Sequence, residues 1–358
     1  MPGAACEYAV VGNGLIGAAV AFELSGASGD VRVFGAGHGD EDTYYSSHDD
    51  DARIARCFHP DPYWEGLAER NVVKLEALMR ATGVPVFRRV PVLYRYPHEP
   101  RLRSRHLTRR RAGLGDGVAG RFDREDREGG IIHPRRYVAA LNGAAERNGA
   151  RVARCVVRAI EPAPGSIRLR TDGGDVRAGH VIDARGLYSD HVANGTVRAV
   201  GKIFVVVEAA DAVGEAADVD AARPFCFIDG TLAGGPFEDA YGCYRYTRAA
   251  GRPVSKFGFS ERVPITLDGA DAVTRWFRGD YRSYAHLAEA RAWATEFCGG
   301  DVLAVRIKPC AFTVTTSRRP VIESRAMRTI VTGCNGMAAK CCQALAEDIV
   351  TRVRACAA

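Results

Sequence analysis

Four groups of residues in this chain have types and spacings suited to chemistry. Gly12-Asn13-Gly14-Leu15-Ile16-Gly17 joins a short apolar run to an Ala-rich helical pattern. In such a turn one glycine makes the bend, one lets a pyrophosphate approach the backbone and one lets helix pack on strand. The helix start then offers free N–H groups and roughly half a positive charge to the phosphates. This is the pattern of a dinucleotide turn, an ordinary βα turn being the structural alternative. Arg53 and Arg56, at i and i+3 on an expected helix, share a face where two guanidinium forks clamp a carboxylate or keep a ring edge electropositive. The alternative is an exposed pair of Asp49 with Arg53. Cys310 follows Lys308 on an expected strand, so both side chains face one side. A neighbouring ammonium favours the thiolate, the nucleophilic form; a structural buried thiol is the alternative. Lys340 opens the last helix beside apolar Cys341 and Cys342, an unusual setting for a surface lysine.

These groups need elements to position them. Tyr8–Val11, the glycine turn, a helix from Ile16 to Ser25 and Val31–Phe34 form a βαβ unit. The second strand of such a unit usually ends in an acid for the ribose hydroxyls; here Gly35 stands there, and Asp40, Glu41 and Asp42 lie further along. Helical periodicity covers 62–81, a strand pattern 86–96, an exposed polar connection 97–130, and a helix 133–148. Strand 151–157, a hairpin at Gly173-Gly174 and strand 180–183 follow. Residues 197–265 are strand-rich, 284–298 helical, 301–307 and 328–332 strands, and 338–355 helical with Cys342, Leu345, Ile349 and Val353 on one face.

At 358 residues the chain exceeds the usual limit of a single core. Its 47% hydrophobic and 26% charged residues are those of a soluble globular protein. No uncharged apolar run reaches the roughly 18 residues of a membrane span, so no membrane partner is expected. The start lacks a basic leader, and eleven irregularly spaced cysteines suggest reduced thiols, so the expected setting is cytoplasmic. No paired CxxC elements occur, and no metal site is expected. The arginine run 101–111 lacks interleaved aromatics, which argues for a solvated loop or oligomer contact and against nucleic acid. Lysine occurs only at Lys74, Lys202, Lys256, Lys308 and Lys340, so arginine supplies 44 of the 49 basic residues. A lysine kept in a site of such a chain points to a need for a compact, titratable amine.

SSHDDDARIARCFHP (46–60), KPCAFTVTTSRRPVIE (308–323) and TIVTGCNGMAAKCC (329–342), with the N-terminal motif, resemble the FAD-dependent amine and amino-acid oxidases of the monomeric sarcosine oxidase type, within the D-amino-acid-oxidase-like superfamily. The resemblance runs in order through nearly the whole chain. It implies an α/β plus α+β fold, with a Rossmann-like FAD-binding domain (1–82, 134–196, 315–358) and a mainly antiparallel-sheet substrate domain (83–133, 197–314). It implies FAD held covalently through Cys310 and contacted by Gly12, Gly14, Leu15, Ile16, Gly17, Ser46, Ser47, Arg53, Val157, Gly186, Gly333, Asn335, Gly336, Met337 and Lys340. Arg56 and Lys340 match the substrate-carboxylate ligands, Arg53 a flavin neighbour and Lys256 the lysine that activates oxygen. Tyr241, Tyr244 and Ser260 are expected in the substrate pocket. Ser260, Ser317 and Met337 depart from the family's histidine, aspartate and histidine, which argues against sarcosine itself. The implied reaction is oxidation of a small secondary, cyclic or N-alkyl amino acid. Hydride passes to flavin N5, an imine forms, and oxygen is reduced to peroxide. The alternatives are a dehydrogenase or hydroxy-acid oxidase with another acceptor, or a non-catalytic flavin-holding subunit. A monomer or homodimer is expected.

Overall fold

The computed structural model describes residues 5–36, 45–96, 104–109, 119, 121–210, 224–232, 234–249, 252–299 and 302–357. The fold starts from the apolar strand Ala5–Val11, whose alternating side chains supply two cores. Val10 packs with the helices, while Ala9 and Val11 pack on the opposite face. Parallel strands flank it in the order Arg151–Arg154, Val31–Gly35, Ala5–Val11, Gly174–Asp183 and Arg328–Thr332. The hairpin Val157–Ala163 and Ser166–Thr171, and the strand Val321–Arg325, add antiparallel edges.

Helices Leu15–Ser25, Pro62–Thr82, Pro134–Arg147 and Ala338–Ala357 share one core with the helix-facing side of this sheet. Cys342, Leu345, Ile349 and Val353, the expected stripe on the last helix, are fully buried. Asp61 caps the second helix by accepting from the Tyr63 N–H, and Gly83 ends it at φ 70°.

The second sheet is mainly antiparallel. Arg198–Ala209 pairs along its length with Val302–Val314, and on its other side with Ile265–Leu267 and Arg252–Glu261. Phe237–Ala249, Phe225–Asp229, Val92–Arg95, Arg124–Asp126 and Thr108–Arg109 continue it, with one parallel pairing at Val92–Arg95. A third, three-stranded sheet joins Arg53–Ala55, Gly130–Ile132 and Phe87–Arg89. The architecture is the mixed α/β plus antiparallel fold expected.

Several local expectations change. Arg53 lies on a strand, not a helix, because its backbone pairs with Gly130–Ile132. Gly129 allows this approach, since a Cβ there would sit 2.7 Å from the Ala55 carbonyl oxygen. Gly130 allows the Phe87–Arg89 strand to close on the other side, where a Cβ would sit 2.2 Å from the Arg88 carbonyl oxygen. The pattern at 86–96 splits into two strands at Pro91, which has no N–H to donate. Residues 151–157 likewise divide between Arg151–Arg154 and the start of Val157–Ala163. Within 97–130, Phe122 and Asp126 are buried, and Asp126 accepts from the N–H groups of Cys57 and Phe58. A helix at Gly269–Arg278 was not expected, and the strand expected at 301–307 runs on to Val314. Asp40, Glu41, Asp42 and most of the arginine run 101–111 lie outside the described residues. All eleven cysteines are free, and no helix among the described residues is long and apolar enough to cross a membrane.

Candidate active site

One cavity of about 1320 Å³ runs from the glycine turn at the first sheet to the inner face of the second. Gly12, Gly14, Leu15 and Ile16 line one end, and Cys310, Lys340, Tyr241 and Ser260 are among its other walls. The turn's geometry explains its glycines. Gly12 adopts φ +105° against Ala184, and a Cβ on Gly17 would fall 1.7 Å from the Gly12 carbonyl oxygen. Gly17 therefore packs helix on strand and does not itself line the cavity. At Gly14 a Cβ would meet nothing closer than Ser46 Oγ at 3.5 Å, so its missing side chain leaves room on the cavity side. The helix starting at Leu15 has no side-chain cap and no acid in its first turn, which leaves its N–H groups for an anion.

Arg53 is the hub of the opposite wall. Its Nη2 donates to the Ser47 carbonyl at 2.8 Å and to Cys310 Sγ at 3.2 Å, and lies 3.0 Å from Asp50 Oδ2. The alternative pairing of Arg53 with Asp49 does not form, and Asp49 binds Arg135. Buried Asp50 also holds Lys256 and stands 3.9 Å from Lys308. Burial alone would raise the Asp50 pKa, but the charges of Arg53, Lys256 and Lys308 outweigh it and hold it well below the carboxylate range. Cys310 and Lys308 do share the cavity side of their strand, yet the cation against the sulfur is a guanidinium. Ser47 Oγ and Trp276 Nε1 donate to the carbonyls of Ala311 and Cys310, at 2.6 and 2.9 Å, and fix that strand.

Arg56 and Lys340 differ from Arg53 in having no acid partner among the described residues, and Arg56 Nε is buried without any partner. Both line the cavity. Burial, with the Arg56 charge beside it, pulls the Lys340 amine down to about 7. Two such cations without a countercharge favour an anion placed beside them. A bound carboxylate favours the charged amine, so binding takes up a proton above about pH 7. Affinity for a carboxylate ligand is therefore expected to be level below that pH and to fall above it, approaching about tenfold per unit. Titrations of the flavin-loaded protein across pH check this, with Lys340→Gln level throughout. A wild type equally level would remove Lys340 from the site.

The family model described as FAD dependent oxidoreductase (DAO) matches residues 7–352. The chain belongs to the DAO family of FAD-dependent oxidoreductases. Its fold is similar to that of NikD, an unusual amino acid oxidase essential for nikkomycin biosynthesis, at TM-score 0.71 and 16% identity over 98% of this chain and 97% of that one. It is similar to L-proline dehydrogenase from P. horikoshii at TM-score 0.71 and 14% identity over 98% and 94%. It also resembles glycine oxidase from Geobacillus kaustophilus at TM-score 0.62 and 17% identity over 98% and 95%. No curated protein sequence matches it at a significant level.

The residues present fit the FAD that a DAO-family chain requires. The cavity has room for a dinucleotide and a small substrate, and Asn13 Oδ1 and Asn142 Oδ1 line it as buried acceptors without partners. Gly35 has no side chain because a Cβ there would come 2.6 Å from that of Asn13, so the usual ribose acid has no room. Ser46, Ser47, Val157, Gly186, Asn335, Gly336 and Met337 all line the cavity. Gly333 does not; it shapes the turn at φ +70°, where a Cβ would meet Thr315 at 2.4 Å.

Besides Gly17 and Gly333, two further expected positions fall elsewhere. Lys256 does not line the cavity: its Nζ is held by Asp50 and donates to the Ala52 carbonyl at 2.7 Å, 3.8 Å from the Phe204 ring. Tyr244 faces away and packs on Phe225 and Phe297. Cys57, His106 and Glu128 bring potential metal-ligand atoms within 4.8 Å of one another, and none of the three lines the cavity. Sequence reasoning missed Asp50, His59, Lys202, Asp239 and Glu261. Of these only Lys202 carried a signal, as one of five lysines in an arginine-rich chain.

Proposed function

We propose that this DAO-family protein is an oxidase of a small secondary, cyclic or N-alkyl amino acid, with FAD linked through Cys310 and oxygen as acceptor. The observation that carries this is the unpaired Arg56 and Lys340 sharing one cavity with the Cys310 thiol and the glycine turn. Segments 1–82, 134–196 and 315–358 would hold the dinucleotide, and 83–133 and 197–314 the substrate face. The glycine turn and helix start bind diphosphate, while Arg53, anchored by Asp50 and Ser47, stays fixed beside Cys310. Arg56 and Lys340 hold the carboxylate and so orient the neighbouring C–H. Tyr241, Phe204 and Ile228 wall off water. When bound, FAD supplies the two-electron acceptor. The substrate amine loses two electrons and two protons to become an imine, and oxygen takes them as peroxide.

Anaerobic mixing with a panel of cyclic and N-alkyl amino acids tests this. The expected result is bleaching of the flavin band, then recovery in air with one peroxide per flavin. Bleaching without peroxide would favour a dehydrogenase with another acceptor, a second reading supported by Lys256, whose ammonium is engaged by Asp50. No bleaching with any amine or hydroxy acid would leave a flavin-holding subunit.

A further inference from the structure

Among the described residues four carboxylates line the cavity: Asp49, Asp61, Asp239 and Glu261. Three have cationic partners, namely Arg135, Arg319 and Lys202. Asp239 has none among the described residues, and its Oδ1 is buried without a hydrogen-bond partner. It stands two residues before Tyr241 on the same strand, and both side chains line the cavity. Its in-register neighbour Ser260 hydrogen-bonds to it, and Lys202 beyond is committed to Glu261 and the Phe259 carbonyl. The fold has bound every other acid of the wall to a base and left this one facing the space that Arg56 and Lys340 face as unpaired cations.

Resting on the amino-acid reading above, we propose that Asp239 receives the substrate's ammonium group and takes one proton from it, making the amine neutral before oxidation. The N–H proton moves to the Asp239 carboxylate, which becomes a carboxyl group; nothing is oxidised or reduced in this step. Two unpaired cations and one unpaired anion are complementary to a zwitterion, and a hydroxy acid would leave Asp239 uncompensated.

The other titratable groups nearby are poorer acceptors. His59 is pushed down to about 3 by burial and by the charges of Arg56 and Lys340, and its Nδ1 already accepts from the Asp61 N–H at 2.9 Å. Burial raises the Tyr241 phenol far from neutrality. Burial also raises Asp239 itself, toward the range of a working base. Ser260 lowers Asp239 by hydrogen bonding, Lys202 and Arg56 pull it down by charge and Glu238 pushes it up, while its own charge raises the Tyr96 phenol.

Binding to the flavin-loaded protein, read from the flavin band without turnover, tests this with N-methylglycine, proline, propionate and lactate. The wild type is expected to bind the amino acids at least tenfold more tightly than the nitrogen-free carboxylates. The isosteric Asp239→Asn should lose that preference while keeping the affinity for propionate. For any amino acid that bleaches the flavin, its bleaching rate should fall at least about tenfold at neutral pH and recover as pH rises and the free amine appears. A wild type with no preference for the amino acids overturns the proposal, as does a variant that keeps the preference or weakens both ligand classes alike. Loss of preference in a protein that no amino acid bleaches would uphold Asp239 as the amine partner and sink the oxidase reading instead.

Discussion

Arg56→Ala is expected to weaken binding of a carboxylate ligand by about 10²–10³-fold, or roughly 3–4 kcal/mol. The size follows from the setting. Arg56 has no salt-bridge partner among the described residues, its Nε is buried without a hydrogen-bond partner, and the neighbouring Lys340 loses charge near neutrality. The ligand's carboxylate is thus the countercharge of both groups, and a single point charge cannot replace a two-pronged fork. Arg56→Lys should accordingly recover only part of the loss. Titrating a straight-chain carboxylate against its amide on flavin-loaded protein measures the effect. The amide should be indifferent to the substitution; equal weakening of both would show that Arg56 only shapes the cavity.

Cys310→Ser is expected to convert all bound flavin from acid-stable to acid-extractable. Wild-type protein precipitated with acid should keep its yellow colour in the pellet, and the variant should release it to the supernatant. The thiol is 6% exposed, its carbonyl is tied to Trp276, and its sulfur is fixed by Arg53. It therefore meets the cavity from one rigid direction. Serine keeps the shape but lacks the thiolate's nucleophilicity, so the fold and non-covalent binding should survive. Flavin freed by acid from the wild type would refute the linkage and leave the DAO-family assignment intact.

What the sequence made legible was local. The Gly12–Gly17 turn, the shared face of Lys308 and Cys310, and the buried stripe of the last helix each depend on neighbours a few residues apart. The lysine scarcity was also informative: Lys202, Lys308 and Lys340 line the cavity, and Lys256 stands behind Phe204. What stayed hidden was long-range. The extended backbone at Arg53 depends on a partner strand reached through Gly129 and Gly130. The bond from Arg53 to Cys310 spans 257 positions, and that from Asp50 to Lys256 spans 206. No periodicity announces that Asp50 will absorb the charge of Lys256, or that Asp239 alone among the wall's acids will lack a base.

Arg53 touches Ser47, Asp50 and Cys310, and shares one cavity with Lys340. The pocket thus draws contributors from the first twenty residues, from the middle of the chain and from beyond position 300, the last of them Lys340. A nascent chain emerging from the ribosome lacks the wall that carries Cys310 and Lys340 until residue 340 has been synthesised. A complete wall for the prosthetic group is therefore expected only once nearly the whole polypeptide has been translated.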